Sequence, residues 1–333
     1  MSTTNHVAIS AEGLVKKYGS TIALDGVDLS VPTGTVLGVL GPNGAGKTTA
    51  VRILGTLLRP DAGHATVGGF DVVKEAPRVR EIIGLTGQYA SVDEDMSGRR
   101  NLVMIGRLLG MPGAQAKARA VELLERFELS DAGDRIAKTY SGGMRRRLDL
   151  ASSLVGNPSI LYLDEPTTGL DPHARNGVWD TIRNLVLDGT TVLLTTQYLE
   201  EADALADSLL VFDKGKVVAE GRPAELKAQA GKQSLDVRPA EPGHLERVAA
   251  IVSEAVGTRP TVDVVNALVS VPVTDGSSMP VVVRRLDEAG IAVTELALRL
   301  PSLDEVFLAL TGHTAAVQDT AGQDSVVLEG AGR

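Results

Sequence analysis

The sequence predicts an α/β fold in which a mainly parallel sheet is followed by a smaller α+β domain. Three continuous apolar runs of strand length lie at 35–40 (T-V-L-G-V-L), 159–163 (S-I-L-Y-L) and 190–194 (T-T-V-L-L). Runs that lack alternation are typical of strands buried on both faces of a sheet. Over about the first 220 residues such runs alternate with helical patterns, which favours a parallel sheet, and beyond that point the pattern restarts.

Length and composition limit the classes of protein that this chain could be. The 333 residues are enough for two domains, and 43% hydrophobic and 23% charged residues are ordinary for a globular protein. Without cysteine, disulfides and thiolate chemistry are excluded, and the net charge of -9 argues against nucleic acid as the main partner. We expect no signal peptide, because the N-terminus lacks a basic region followed by an apolar core. We expect no membrane span either, because no run of about 18 or more apolar residues exists.

The first domain is expected at residues 7–226, with a helical insertion at about 93–158. Within the insertion, 116–127 reads A-K-A-R-A-V-E-L-L-E-R-F, which is rich in helix-favouring residues and has no strand-like run. The R-R-R run at 145–147 is expected to form a solvated helix face.

A second, accessory domain is expected at residues 232–312. Its patterns predict, in order, a strand at 233–238, a helix at 244–256, a hairpin at 261–273, a helix at 279–289 and a strand at 291–300. This β-α-β-β-α-β order is compatible with a ferredoxin-like domain. The tail at 313–333 is rich in Ala, Gly, Gln and Asp, and is expected to be disordered.

The first motif that carries chemistry is G-P-N-G-A-G-K-T at 41–48, between an apolar strand and a helical run. It matches the phosphate-binding loop of P-loop NTPases. In such a loop backbone amides face the phosphates, Lys47 reaches the β- and γ-phosphates, and Thr48 ligates Mg²⁺. The predicted nucleotide-binding residues are Gly41, Pro42, Asn43, Gly44, Ala45, Gly46, Lys47, Thr48 and Thr49.

A second motif, I-L-Y-L-D-E, ends an apolar strand in two acids. Asp164 is expected to hold Mg²⁺ through water, and Glu165 to accept a proton from the attacking water. The alternative is an acid pair at a helix N-terminus near Pro166.

A third motif, Y-S-G-G-M at 140–144, opens a helix. Ser141, Gly142 and Gly143 could bind an anion through a hydroxyl, exposed amides and the helix dipole, although Ser141 could equally be an ordinary N-cap. Two anion sites far apart in one chain suggest two subunits arranged head to tail, each closing the other's site.

Together these motifs make residues 7–226 resemble the ATP-binding subunits of ABC transporters. The resemblance implies ATP and Mg²⁺ as ligands and a homodimer in the ATP-bound state. It further implies that Tyr18 stacks on adenine, unless it is a surface tyrosine at a strand end, and that Gln88 senses Mg²⁺ and couples to a membrane subunit. Ser141, Gly142 and Gly143 would bind the γ-phosphate of the opposite subunit, and Asp171 would bridge the two subunits. The family usually has glutamine where this chain has Met144.

Gln197 departs from the family, which normally has histidine after the strand that ends in T-T. A glutamine amide can donate to phosphate and accept from water, but it cannot carry a proton, so the role of base should fall on Glu165. The strings T-T-Q-Y-L-E-E-A-D and L-D-E-V-F-L-A-L-T-G resemble the daunorubicin/doxorubicin-resistance type of subunit. That type implies a separate ABC-2-type permease and a peripheral position on the cytoplasmic side of the membrane.

The expected function is therefore ATP hydrolysis that powers efflux of an amphipathic drug or antibiotic. Three alternatives stay open at this point: an exporter of a lipid, polysaccharide or peptide; a soluble ABC ATPase without a transport role; and a regulatory nucleotide binder that hydrolyses little.

Overall fold

A computed structural model describes residues 6–87, 92–230, 233–274, 276–299 and 301–311. In these residues the chain forms three β-sheets, two of them in the N-terminal part and one near the C-terminus. The predicted tail at 313–333 lies outside the described residues.

The largest sheet has six strands in the order β10-β9-β3-β8-β7-β6. All neighbouring strands are parallel except β10, which is antiparallel to β9. The expectation of a mainly parallel sheet is thus confirmed. The strands are β3 (Val36–Leu40), β6 (Ile83–Thr86), β7 (Ile160–Asp164), β8 (Thr191–Thr196), β9 (Ser208–Asp213) and β10 (Lys216–Gly221).

Both faces of this sheet are buried, as the continuous apolar runs predict. In β7, Ile160 and Tyr162 point into one hydrophobic cluster, whereas Leu161 and Leu163 point into another. Successive side chains of a strand alternate between faces, so a strand covered on both sides must be apolar throughout.

A four-stranded antiparallel sheet packs over one of these faces, and the sequence analysis did not predict it. Its order is β2-β1-β4-β5. Apolar residues of β1, including Ile9 and Leu14, share a core with Ile160 and Tyr162 of the parallel sheet. The strands are β1 (Val7–Tyr18), β2 (Thr21–Pro32), β4 (Ala62–Val67) and β5 (Phe70–Asp71).

Helices cover the other face and form a helical arm, which we define as α3, α4 and α5. The arm's buried residues, such as Leu102, Leu123 and Leu148, belong to the same cluster as Leu161 and Leu163 of β7. The helices of this part of the chain are α1 (Lys47–Leu54), α2 (Ala76–Ile82), α3 (Gly98–Leu108), α4 (Gly113–Arg126), α5 (Gly142–Ser153), α6 (Pro172–Leu187), α7 (Leu199–Leu205) and α8 (Pro223–Ala230).

The C-terminal part has the element order β-α-β-β-α-β and an antiparallel sheet in the order β12-β13-β11-β14. It has a core of its own, built around Leu235, Val248, Val271 and Leu286. The elements are β11 (Gln233–Pro239), α9 (Leu245–Val256), β12 (Thr261–Asp263), β13 (Leu268–Val273), α10 (Met279–Glu288) and β14 (Val293–Arg299).

A last helix, α11 (Leu303–Thr311), packs against the first domain instead of the small sheet. Leu303, Val306 and Phe307 are buried in a cluster with Leu199 of α7 and Leu226 of α8. Within the described residues, no helix is both long enough and apolar enough to cross a membrane.

Candidate nucleotide site

Two of the predicted motifs and Gln197 meet at one edge of the parallel sheet. The phosphate loop follows β3, the acid pair ends β7, and Gln197 follows β8. Because β8 lies between β3 and β7 and all three run in parallel, their carboxyl ends are adjacent. This is the edge at which open α/β sheets bind ligands.

The loop before α1 has a shape that requires glycine at position 46. Gly46 has φ 108°, and a Cβ added there would lie 2.4 Å from the carbonyl oxygen of Ala23. Gly44 also has a positive φ, of 81°. None of the described side chains caps the first turn of α1, so its amides stay free to bind an anion.

Lys47 lies beneath this loop with its side chain only 4% exposed. Its Nζ donates to the carbonyl oxygens of Gly41 at 2.6 Å and Pro42 at 3.2 Å, and is 3.7 Å from Oε1 of Glu165. Burial lowers the pKa of Lys47, whereas the nearby carboxylates of Glu165 and Asp164 act to raise it. The loop therefore holds an ammonium group where the phosphates of a nucleotide would need a cation.

Next to Lys47, Thr48 and Asp164 form a pair of hard oxygen donors. The Thr48 hydroxyl donates to Oδ1 of Asp164 at 3.2 Å, and the hydroxyl of Thr195 in β8 donates to the same oxygen. Hydroxyl and carboxylate oxygens suit Mg²⁺, which usually keeps waters and phosphate oxygens as its other ligands. In the described part of the chain no cluster of three or more acidic, histidine or cysteine side chains could hold a metal by itself.

Glu165 has a backbone conformation that is rare for a residue with a side chain. Its φ is 50°, in the left-handed region. The Glu165 amide donates to the carbonyl oxygen of Thr195 at 3.0 Å, and Oε2 accepts from the hydroxyl of Thr168 at 3.3 Å. Such strain persists where the surrounding structure fixes it, and it is frequent at functional sites.

These residues open on a cavity of ≈ 970 Å³. Tyr18, whose side chain is half exposed, lies at its wall, as does Gln197. The predicted residues that line the cavity are Tyr18, Pro42, Asn43, Gly44, Ala45, Gly46, Lys47, Thr48, Thr49, Gly142, Glu165 and Gln197.

Other predicted residues have local contacts instead. Oγ of Ser141 accepts from the amide of Met144 at 3.2 Å and so caps α5, while Oδ1 of Asp171 accepts from the amide of Ala174 at 2.9 Å and caps α6. Neither Ser141 nor Gly143 lines the cavity. Gln88 lies outside the described residues.

Sequence reasoning missed several side chains at this site. Arg145, Arg146, Asp149 and Thr168 line the cavity as well. The expectation of a solvated face at 145–147 was wrong for Arg146, whose side chain is only 12% exposed. A run of three arginines gives no sign of which one points inward, because that depends on how the helix packs.

Comparison with known proteins identifies the family. Residues 24–168 match the family model described as ABC transporter, and residues 221–311 match that of the ATP-binding protein DrrA1-3-like, C-terminal domain. The daunorubicin resistance ATP-binding protein DrrA3 of Streptomyces coeruleorubidus is 56% identical over 315 residues, which cover 94% of this chain and 99% of the relative. The chain belongs to the ATP-binding subunits of ABC transporters.

Two further comparisons agree with this assignment. The daunorubicin/doxorubicin resistance ATP-binding protein DrrA of Streptomyces peucetius is 51% identical over 320 residues, which cover 96% of this chain and 97% of the relative. A solved dimeric ATP-binding cassette, bound to ADP and Pi in a post-hydrolysis state, is 25% identical with a TM-score of 0.59, and covers 64% of this chain and 98% of its own. Members of the family bind nucleotide and couple ATP hydrolysis to transport.

Proposed function

We propose that this chain hydrolyses ATP to drive an amphipathic drug or antibiotic out of the cell through a separate membrane permease. The ATPase part is supported most directly by one observation: Lys47, the Thr48–Asp164 pair and Glu165 meet at one edge of the parallel sheet. The export part is supported by relatives that are named for daunorubicin and doxorubicin resistance.

In this proposal the nucleotide lies in the cavity with its phosphates over the loop at 41–46. Tyr18 stacks on the adenine, because its half-exposed ring stands at the cavity wall. Lys47 exchanges its hydrogen bond to the loop carbonyl oxygen for hydrogen bonds to β- and γ-phosphate oxygens. Thr49 lies two residues further along, in the first turn of α1. The charge of Lys47 then stabilises the phosphates in both the bound state and the transition state.

Thr48 and Asp164 would hold Mg²⁺, since their oxygens already lie 3.2 Å apart, and Gln88 would be a further contact. Bound Mg²⁺ neutralises charge on the β- and γ-phosphates during transfer. The remaining chemistry belongs to side chains: Glu165 takes a proton from the attacking water, and Gln197 donates to the γ-phosphate and accepts from that water.

We further propose that two copies of the chain form a head-to-tail homodimer when ATP is bound. Ser141, Gly142 and Gly143 of one copy would close over the γ-phosphate held by the other, and Asp171 would lie between them. The dimeric cassette among the solved relatives supports this arrangement.

The partner that moves the cargo would be an ABC-2-type permease, with the chain bound at its cytoplasmic side. Gln88 and the helical arm would pass the change at the nucleotide to the permease. We retain the division into an ATP-binding domain at 7–226 and an accessory domain at 232–312, with the accessory domain acting in dimer closure or in assembly with the permease.

Other cargoes fit the same cassette, because the sequence of an ATP-binding subunit barely discriminates between them. A lipid, polysaccharide or peptide exporter therefore remains the nearest alternative. A soluble ATPase acting on ribosomes or DNA fits less well with a net charge of -9.

The test combines turnover with resistance. We expect Glu165→Gln to reduce ATP hydrolysis by about 10²-fold or more, because an amide cannot accept the proton of the attacking water. A drug-sensitive host that carries this chain together with its permease should gain resistance to daunorubicin, and the Glu165→Gln variant should not confer it. Purified protein gives the rate, and the inhibitory drug concentration gives the resistance.

Glu254→Gln is the matched control, because Glu254 is exposed in the C-terminal domain, where it pairs with Arg285. It should leave both rate and resistance at the wild-type level. Full ATPase activity in Glu165→Gln would refute the catalytic assignment. Wild-type ATPase activity without drug resistance would refute the drug cargo and favour one of the alternatives.

A further inference from the structure

Arg146 joins the helical arm to two loops at the nucleotide site. From α5, its Nε donates to the carbonyl oxygen of Pro166 at 2.6 Å, and its Nη1 donates to the carbonyl oxygen of Gly87 at 3.3 Å. Nη1 also donates to Oδ2 of Asp149 at 2.9 Å. A single buried guanidinium group thus holds the backbone that leaves β7 and the backbone that leaves β6.

The adjacent arginine shows that this bridge is specific to one position. Nη1 of Arg147 donates to the carbonyl oxygen of Phe127 at 3.3 Å and to Oε2 of Glu128 at 2.9 Å. Both contacts are made at the C-terminal end of α4, inside the helical arm. Arg147 has the same charge on the same helix, but in the described part of the chain its side chain donates to the end of α4 instead of to either loop.

The two carbonyl groups held by Arg146 lie directly next to residues with proposed roles. Pro166 follows Glu165, and Gly87 precedes Gln88. Glu165 has φ 50°, and its amide is fixed on one side by the carbonyl of Thr195. Arg146 fixes the Pro166–Thr167 peptide on the other side of Glu165. Together the two contacts hold the strained backbone that aims the Glu165 carboxylate.

We propose that Arg146 is a positioning residue for ATP hydrolysis. It bridges the Pro166 and Gly87 carbonyl groups and so keeps Glu165 and the end of β6 in register with helix α5. Movement of the helical arm then reaches the backbone beside Glu165 through the hydrogen bond from Arg146 to the Pro166 carbonyl oxygen. The inference rests on the proposed role of Glu165.

The chemistry of the side chain suits this task. Arginine has five donors in a rigid plane and can serve two carbonyl groups and a carboxylate at once, whereas lysine offers a compact ammonium that cannot span them in the same geometry. Burial lowers the pKa of Arg146, and the charges of Asp149, Glu201 and Asp164 oppose that shift. A largely buried ion pair such as Arg146–Asp149 adds little net stability. Its more direct consequence is that it fixes the orientation of the Arg146 side chain.

The experiment compares Arg146→Gln with Arg147→Gln, each of which removes one positive charge from α5. ATP affinity is measured on the full chain without Mg²⁺, turnover is measured with Mg²⁺, and Glu165→Gln is included as a reference. We expect Arg146→Gln to lower kcat by about tenfold or more while the Kd for ATP stays within about twofold, since charged hydrogen bonds to two carbonyl groups are lost. Arg147→Gln should change neither quantity by more than about twofold.

Three results would overturn the inference: a kcat within about twofold of wild type in Arg146→Gln, an equal loss in Arg147→Gln, or a Kd that rises as much as kcat falls. If Arg146→Gln does not fold, Arg146→Lys decides, because it keeps the charge but not the bridge. Arg146→Lys should show an intermediate kcat with unchanged Kd, and wild-type turnover in it would refute the bridge. Full activity in Glu165→Gln would instead refute the role assigned to Glu165.

Discussion

The carboxyl group of Glu201 is fully buried and connects three elements. Its Oε1 accepts from the hydroxyl of Thr167 at 2.8 Å, in the loop after β7, and from Nε1 of Trp179 at 3.3 Å, in α6. Burial raises the pKa of Glu201, while hydrogen bonds from Thr196, Thr167 and Trp179 and the charge of Arg146 act to lower it. The folded chain therefore holds a proton on Glu201 more tightly than the unfolded chain does.

This difference predicts a pH-dependent stability. The contribution of Glu201 to stability is fully present at pH values below its pKa in the unfolded chain. It is lost as the pH rises through the higher pKa that Glu201 has in the folded chain. We expect Glu201→Gln, which keeps an acceptor but cannot ionise, to lack this loss. Its free energy of unfolding relative to wild type should rise between pH 5 and pH 8 by at most about 1.4 kcal/mol per pH unit. Urea denaturation at a series of pH values measures it.

Glu200→Gln is the control for this pH series, because Glu200 is adjacent but 81% exposed. It removes a carboxylate from the same turn of α7 without changing the buried cluster, so it separates the effect of burial from the effect of a lost charge. Parallel pH curves for wild type and Glu201→Gln would show that the buried carboxyl group does not titrate differently in the folded chain.

At the scale of elements, the parallel strands could be predicted and their partners could not. The apolar runs at 35–40, 159–163 and 190–194 correspond to β3, β7 and β8. A strand that is buried on both faces has a continuous apolar sequence, which can be recognised directly. The order of these strands is set by crossovers between distant segments, which no local pattern records. The antiparallel sheet was missed, since β1 and β2 pair with several register shifts that interrupt their alternation.

Helix α11 illustrates the same limit. Its apolar face at Leu303, Val306 and Phe307 is evident from helical spacing, but the surface that it covers is not. The structure places that face on α7 and α8, far from it in sequence. After the small antiparallel sheet, the last helix thus packs on the first domain again.

Because α11 packs on the first domain, we expect truncation of Phe307 to lower the free energy of unfolding strongly. The side chain is 3% exposed within the cluster that joins α11 to α7 and α8. We expect Phe307→Ala to lower the free energy of unfolding by about 3–5 kcal/mol, because apolar burial is lost and a cavity is left. Urea denaturation followed by circular dichroism measures the change.

Leu308→Ala provides the comparison, since Leu308 is the next residue of α11 and is 46% exposed. It should lower the free energy of unfolding by less than about 1 kcal/mol. Equal effects of the two substitutions would contradict the packing of α11 on the first domain.

At the scale of the whole molecule, the sequence was enough to predict that several motifs meet at one edge of the parallel sheet. The loop at 41–49, the pair Asp164–Glu165 and Gln197 each follow a recognisable strand, and carboxyl ends of neighbouring parallel strands must meet. The contacts of Thr195, Arg146 and Glu201 were not predictable, because they depend on which face of a strand or helix turns inward. Motifs identify many of the residues that line the cavity, whereas packing decides which residues hold them in place.

The position of the Ser-Gly-Gly turn leads to the last prediction. Gly142 lies in the wall of the same cavity as its own phosphate loop. A head-to-tail dimer instead requires Gly142 of one copy to act on the nucleotide of the other. The two arrangements differ in which residues must belong to the same chain.

Mixing two inactive variants distinguishes them. Lys47→Ala removes the cation at the phosphates, and Gly142→Asp places a negative charge in the Ser-Gly-Gly turn, where a Cβ meets its nearest neighbour, Leu170, at 3.7 Å. In a head-to-tail dimer that contains one copy of each, one site carries both defects and the other carries none. Equal mixing should therefore restore about a quarter of wild-type ATPase activity, because half the dimers are mixed and each has one intact site. Activity that stays at the level of the separate variants would place the complete site within one chain.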